Sequence, residues 1–147
     1  MAGRAIVEEP ELFSVAMINS GLLNPYRFES AGAGTNNTEE FGSIKNMDEC
    51  NALIQMDSYM SINKKESFPA ILTTVGLNDI RVPPWMSSKF VSQIRDYNKS
   101  NKPVLFEAIS DGGHFDSGSK KDVHEKWGKI FSFALWQTGH PDYQLKE

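Results

Sequence analysis

The sequence predicts an α/β fold built on a parallel sheet. Two near-continuous apolar runs, Ala70–Val75 and Val104–Ile109, flank a segment with helical periodicity, and a third run, Phe13–Ile18, precedes them. Unbroken apolar strands are buried on both faces, as in parallel sheets covered by helices. The strand–helix–strand order requires a right-handed crossover. The expectation is one domain of about three parallel strands with flanking helices.

Met1–Val7 reads as part of a helix, with Pro10 marking its end or the turn after it. Phe13–Ile18 (FSVAMI) is the first strand, closed by Asn19-Ser20-Gly21, and Asn24-Pro25 then breaks the chain. Phe28–Phe41 contains ESAGAGTNNTEE, small, polar and Gly-rich, and reads as a surface loop. It is longer than an ordinary connector, which favours a binding role. Met47–Met56 reads as a helix with Asp48 as its cap and Leu53 and Met56 on one face.

Ala70–Val75 is the second strand. Pro83–Tyr97 is a helix, because proline suits a first turn whose amide has no partner, and Met86, Phe90, Ile94 and Tyr97 form its buried stripe. Val104–Ile109 is the third strand. The last helix runs from about Ser119 to Thr138. Ser119 and Asp122 make its start signal, Gly139 and Pro141 its stop, and Val123, Trp127, Ile130, Phe131, Ala134 and Leu135 its apolar face.

Composition narrows the function classes. The 147 residues suit a single domain. A net charge of −4 gives no broad basic surface, so neither nucleic acid nor a membrane is an expected partner. With Cys50 as its single cysteine the chain has no intrachain disulfide and no zinc cluster, and no cofactor or metal is expected. The start, MAGRAIVEEPELF, lacks a signal peptide's basic and apolar regions, so as written the chain reads as cytoplasmic. No apolar run approaches the ~20 residues of a membrane span.

The chemistry-bearing residues gather where such folds place them. Functional groups of parallel sheets collect beyond the carboxyl ends of the strands. Asn78, Asp79 and Arg81 follow the second strand; Gly112, Gly113 and His114 follow the third. An acid and then a histidine on consecutive strand ends is the chain order of the last two triad members of an α/β-hydrolase. A histidine acts as a base only when something fixes its tautomer and stabilises its charged form, and a carboxylate at Nδ1 does both. The two glycines allow the unusual dihedrals of a tight catalytic loop. Arg81 reads either as an anchor for a substrate carbonyl or carboxylate or as a structural ion-pair partner. His124 and His140 read as solvated, and Trp85, Trp127 and Trp136 as core or interface aromatics.

Taken together, GRAIVEEPELF, RFE, EFGS, MDSY, PAILTTVGLNDIRVPPW, SSKF, KPVLFEAI, GGHF and FALWQ follow one another in an order that resembles the carboxyl-terminal part of the prolyl oligopeptidase family of serine peptidases. The resemblance covers almost the whole chain. It implies the carboxyl-terminal half of an α/β-hydrolase fold. It also implies triad roles for Asp79 and His114, and a substrate-backbone contact for Arg81.

The departures are as informative. The family's nucleophile sits in a G-G-S-x-G-G elbow, and no G-x-S-x-G occurs in this chain; Gly118-Ser119 opens the last helix instead. Asn37 stands where proline-specific members carry an aromatic residue, so the resemblance does not bring proline preference with it. The expectation is a serine-peptidase part with two of three triad residues, inactive alone, whose peptide substrate belongs to the intact parent. The alternatives are a non-enzymatic interaction or structural module, or half of a split hydrolase completed in trans. The strand Phe13–Ile18 would lack its partner, leaving an exposed edge, so a homo-oligomer joined through that edge is expected.

Overall fold

The computed structural model of the chain describes residues 2–115 and 118–146. Three parallel strands, β1 (Val15–Asn19), β2 (Ala70–Gly76) and β3 (Val104–Ile109), form a sheet in the order β1-β2-β3. Ala16 pairs with Ile71 and Ile71 with Val104, so these three share one face; Met17, Leu72 and Leu105 share the other. Every residue of central β2 is buried.

Helices α1 (Ala2–Glu8) and α4 (Pro84–Tyr97) cover the first face, where Ile6, Val7, Phe90, Val91 and Ile94 pack with Ala16, Ile18, Ile71 and Val104. Met86, Phe90 and Ile94 are wholly buried and recur at helical spacing; each such side chain contributes roughly 1.5–3 kcal/mol relative to exposure. Pro84 holds the first helical position, with Pro83 outside it.

Helix α5 (Lys120–Gln137) covers the second face and starts with a complete capping box. Asp122 Oδ2 accepts from Ser119 N at 2.7 Å and Asp122 N donates to Ser119 Oγ at 3.3 Å. At its other end the His140 N–H reaches Leu135 O and Gly139 N–H reaches Trp136 O, with Gly139 at φ 82°. This pair of bonds is a Schellman stop, which needs a left-handed residue after the cap.

Several expectations are corrected here. The segment Phe28–Phe41 is more than a surface loop: it contains a 3-10 turn, Gly34–Asn37, and the short helix α2 (Thr38–Phe41), and Phe28 is buried. Glu39 and Glu40 in the first turn of α2 favour it through the helix dipole. Helix α3 (Met47–Met56) is capped by Asn46, not Asp48, because Asn46 Oδ1 accepts from the amides of Asp48 and Glu49. Leu53 is buried but Met56, in the last turn of α3, stays exposed. The buried stripe of α5 is Ile130 and Phe133 with Trp136 against it, whereas Trp127 and Phe131 are exposed. That helix carries more apolar residues than a three-strand sheet covers, and sequence periodicity alone selected Ile130 correctly but missed Phe133 and included Trp127 and Phe131.

Candidate active site

Both functional loops leave the same end of the sheet, and backbone bonds stitch them together. The Leu77 N–H donates to Ile109 O, and Asn78 N–H to Gly112 O at 2.9 Å. The Asn78 side chain adds a third link, Nδ2 to Ser110 O at 3.2 Å. The turn after β2 is thereby fixed against the turn after β3. Close approach needs a residue without a side chain at the end of β2: a Cβ on Gly76 would overlap Gly112 and Gly113 backbone atoms. Gly112 and Gly113 were expected to supply unusual dihedrals, yet neither has a positive φ. What Gly112 supplies is room, since its own Cβ would lie 3.1 Å from the Gly76 Cα.

This stitching brings Asp79 and His114 together across 35 positions. His114 Nδ1 lies 2.9 Å from Asp79 Oδ2, with the side chains 27% and 1% exposed. The other carboxylate oxygen, Oδ1, accepts from the amides of Arg81 and Val82, both at 2.9 Å. A buried carboxylate is costly unless hydrogen-bonded, and here each oxygen has a partner. Three ligands fix the Asp79 orientation. A carboxylate at Nδ1 holds the proton there, which leaves Nε2 as the basic nitrogen.

His114 lines a cleft of about 680 Å3 together with Arg81. Its apolar wall includes Leu22, Phe28, Phe41 and Val82, and Asn37 and Glu40 supply polar lining. Phe28 and Phe41 meet edge to face with centroids 6.0 Å apart. Their segment is tethered by Glu29, which accepts from Ile44 N at 2.8 Å and Ser43 Oγ at 2.9 Å. These bonds, the Ile44 amide first, hold the Glu29 carboxyl below its ordinary pKa. On the other side of the β1–α2 connection, Asn24 Nδ2 donates to buried Asp57 Oδ2 at 2.6 Å, and Lys89 Nζ donates to Asn24 Oδ1 at 3.0 Å.

Among the described residues Arg81 has no acidic side-chain partner; its guanidinium lies 4.9 Å from the centroid of the Phe115 ring. Phe115 also meets the His114 ring edge to face at 5.0 Å. Phe115 and Gly76 were not singled out in the sequence. A glycine closing an apolar strand is a signal of close backbone approach; for Phe115 the only signal is its place beside His114. His124 and His140 are exposed and lie outside the cleft. Among the described residues no group of three His, Cys, Asp or Glu could hold a metal ion, and no helix is long and apolar enough to cross a membrane.

Comparison with known proteins identifies the family and the fold. The sequence matches the prolyl oligopeptidase family over residues 1–141. It is 26% identical over 129 residues to a prolyl endopeptidase of Dictyostelium discoideum, which covers 86% of this chain and 17% of that protein. Among solved structures, a prolyl endopeptidase superposes with a TM-score of 0.88 at 22% identity, over 97% of this chain and 20% of that one. Oligopeptidase B from Leishmania major does so with a TM-score of 0.81 at 23% identity, over 92% and 19%. The chain thus spans about a fifth of the length of the relatives it matches.

Proposed function

The chain belongs to the prolyl oligopeptidase family, and from that premise we propose that it is the part of a serine-peptidase catalytic domain that carries the acid and the base of the triad. Asp79 is the acid that orients and charges the base, His114 is the general base and acid, and Arg81 anchors the substrate backbone. The observation that supports this most is the 2.9 Å contact of His114 Nδ1 with a carboxylate whose other oxygen is tied to two amides. In such a pair the nucleophile's proton passes to Nε2, Asp79 stabilises the imidazolium, and the proton then goes to the leaving amine.

The step lacks its nucleophile within these 147 residues, because no strand here ends in a G-x-S-x-G elbow. The elbow also supplies an oxyanion-hole amide, so neither the attacking oxygen nor that donor is provided. The isolated chain is therefore proposed to be inactive, with catalysis requiring the elbow from other polypeptide.

A fluorophosphonate probe tests this directly. The isolated chain should take no label and should not cleave peptidyl chromogenic substrates. Covalent labelling of any serine in this chain would overturn the assignment of roles.

A further inference from the structure

We propose that the cleft beside His114 binds the free carboxyl terminus of peptides, with Arg81 as the carboxylate receptor; this rests on the reading of the same cleft as a peptide site. Among the described residues Arg81 has no counterion. The neighbouring Asp79 carboxylate spends Oδ1 on the amides of Arg81 and Val82 and Oδ2 on His114. Among the described residues no acidic side chain forms an ion pair with the guanidinium and no hydrogen bond from it is seen.

What holds Arg81 is an aromatic face. The Phe115 ring is 67% exposed, and the guanidinium lies 4.9 Å from its centroid. A cation over a ring is oriented by the quadrupole while its N–H groups stay free in the ring plane's outer directions. That suits a guanidinium to a bidentate bond with a carboxylate, its best-matched partner. His114 lines the same cleft, so its Nε2 edge offers a second donor when protonated. Leu22, Phe28, Phe41 and Val82 form an apolar wall for the terminal side chain. Glu40 also lines the cleft and disfavours a ligand with a second negative charge near its end.

A peptide ending in a carboxylate is the acyl product of a peptidase. A site with base and anchor but no nucleophile would hold such a peptide without turning it over. The ligand class is therefore a peptide with a free α-carboxylate and a terminal apolar residue.

The test uses the full chain and two probes, N-acetyl-Ala-Ala-Phe as the free acid and as the carboxamide, with binding followed by NMR shifts and calorimetry. The acid should bind at least tenfold more tightly than the amide. Arg81→Met should bring the acid down to the amide's affinity, Arg81→Lys should restore part of the difference, and Phe115→Leu should weaken the acid severalfold while leaving the amide unchanged. Equal binding of the two probes, a difference that survives Arg81→Met, or no binding of either at millimolar concentration would overturn the inference. The parent reading is followed separately through the His114 ring signals: if Asp79→Asn moves them, the acid–base pair stands whatever the probes do.

Discussion

Gly76, at the end of β2, lies so close to Gly112 that a Cβ at position 76 would overlap the carbonyl of Gly112. The contact is backbone on backbone, so no side-chain rotation relieves it. It sets the distance between the turn that carries Asp79 and the turn that carries His114.

Gly76→Ala should therefore push the two turns apart. Overpacking of this kind costs about 1–3 kcal/mol, and the His114–Asp79 contact should lengthen with it. Urea denaturation and the His114 ring signals read the two effects. Gly113→Ala is the control: it has open space around the added Cβ and no positive φ. It should change stability by less than about 0.5 kcal/mol. Equal effects at 76 and 113 would show that the turns are not set by this packing.

Asp79→Ala should destabilise the chain more than Asp79→Asn. Alanine leaves the amides of Arg81 and Val82 without their acceptor beside a buried site, at a cost of roughly 1–3 kcal/mol for each unsatisfied group that water does not reach. Asparagine keeps an acceptor for one oxygen's bonds, so the fold survives while His114 loses its negative partner. Thermal melts should rank the wild type above the Asn variant and the Asn variant above the Ala variant. Reversal of the last two would mean that Asp79 serves His114 and not its own loop.

These effects also mark what was legible in the sequence. Apolar runs end where polar loops begin, so strands and the loops bearing Asp79, Arg81 and His114 could be located from residue pattern alone. The pairing of those loops could not, because it depends on Asn78, Gly76 and Gly112 meeting across strands, and contact between distant backbone segments leaves no periodic trace. The face of α5 was misread for a related reason. Ile130 and Phe133 are buried while Trp127 and Phe131 are exposed, and a helix with apolar residues on several sides does not say which side the sheet will cover. Asn46 rather than Asp48 caps α3; two residues of frame decide this cap, and both are good cap residues.

Acid should loosen the cleft wall before it unfolds the sheet. The carboxyl of Glu29 is held below the ordinary value of 4.5 by the Ile44 amide and the Ser43 hydroxyl, with Lys45 assisting. A group whose folded pKa is depressed contributes stability that is present above its unfolded pKa and lost as pH falls through the folded one. The tether of residues 43–45 to Glu29 should thus hold at neutral pH and release progressively below about pH 4.5. The protection of the Ile44 amide against hydrogen exchange should fall over that range in the wild type, and should already be low at neutral pH in Glu29→Gln. Protection of the Ile44 amide that stays constant from pH 7 to pH 3 would exclude the Glu29 carboxylate as its anchor.

The two edges of the sheet are treated differently, and this bears on association. At β3, Arg95 Nε donates to Val104 O at 2.9 Å and Glu107 pairs with Lys129 at 2.7 Å, so charge and a side-chain bond guard that edge. Across Val15–Asn19 the β1 edge has no charged side chain, proline or bulge to discourage another strand. Beside it, Met17, Trp127 and Phe131 are 40%, 38% and 56% exposed, and Trp127 stacks with Phe131 at 5.8 Å. A self-complementary contact fits this edge. Antiparallel pairing centred on Met17 sets Ala16 opposite Ile18 and Ser14 opposite Ser20, small against large on the inner face and like against like at the ends. The 16.5 kDa chain is expected to run as a dimer in light scattering coupled to size exclusion at micromolar concentration. Met17→Lys, which places a charge at the centre of the pairing, should return it to monomer without lowering its melting temperature in dilute solution. A wild-type chain that stays monomeric and melts cooperatively across that concentration range would show that β1 is protected by means other than charge.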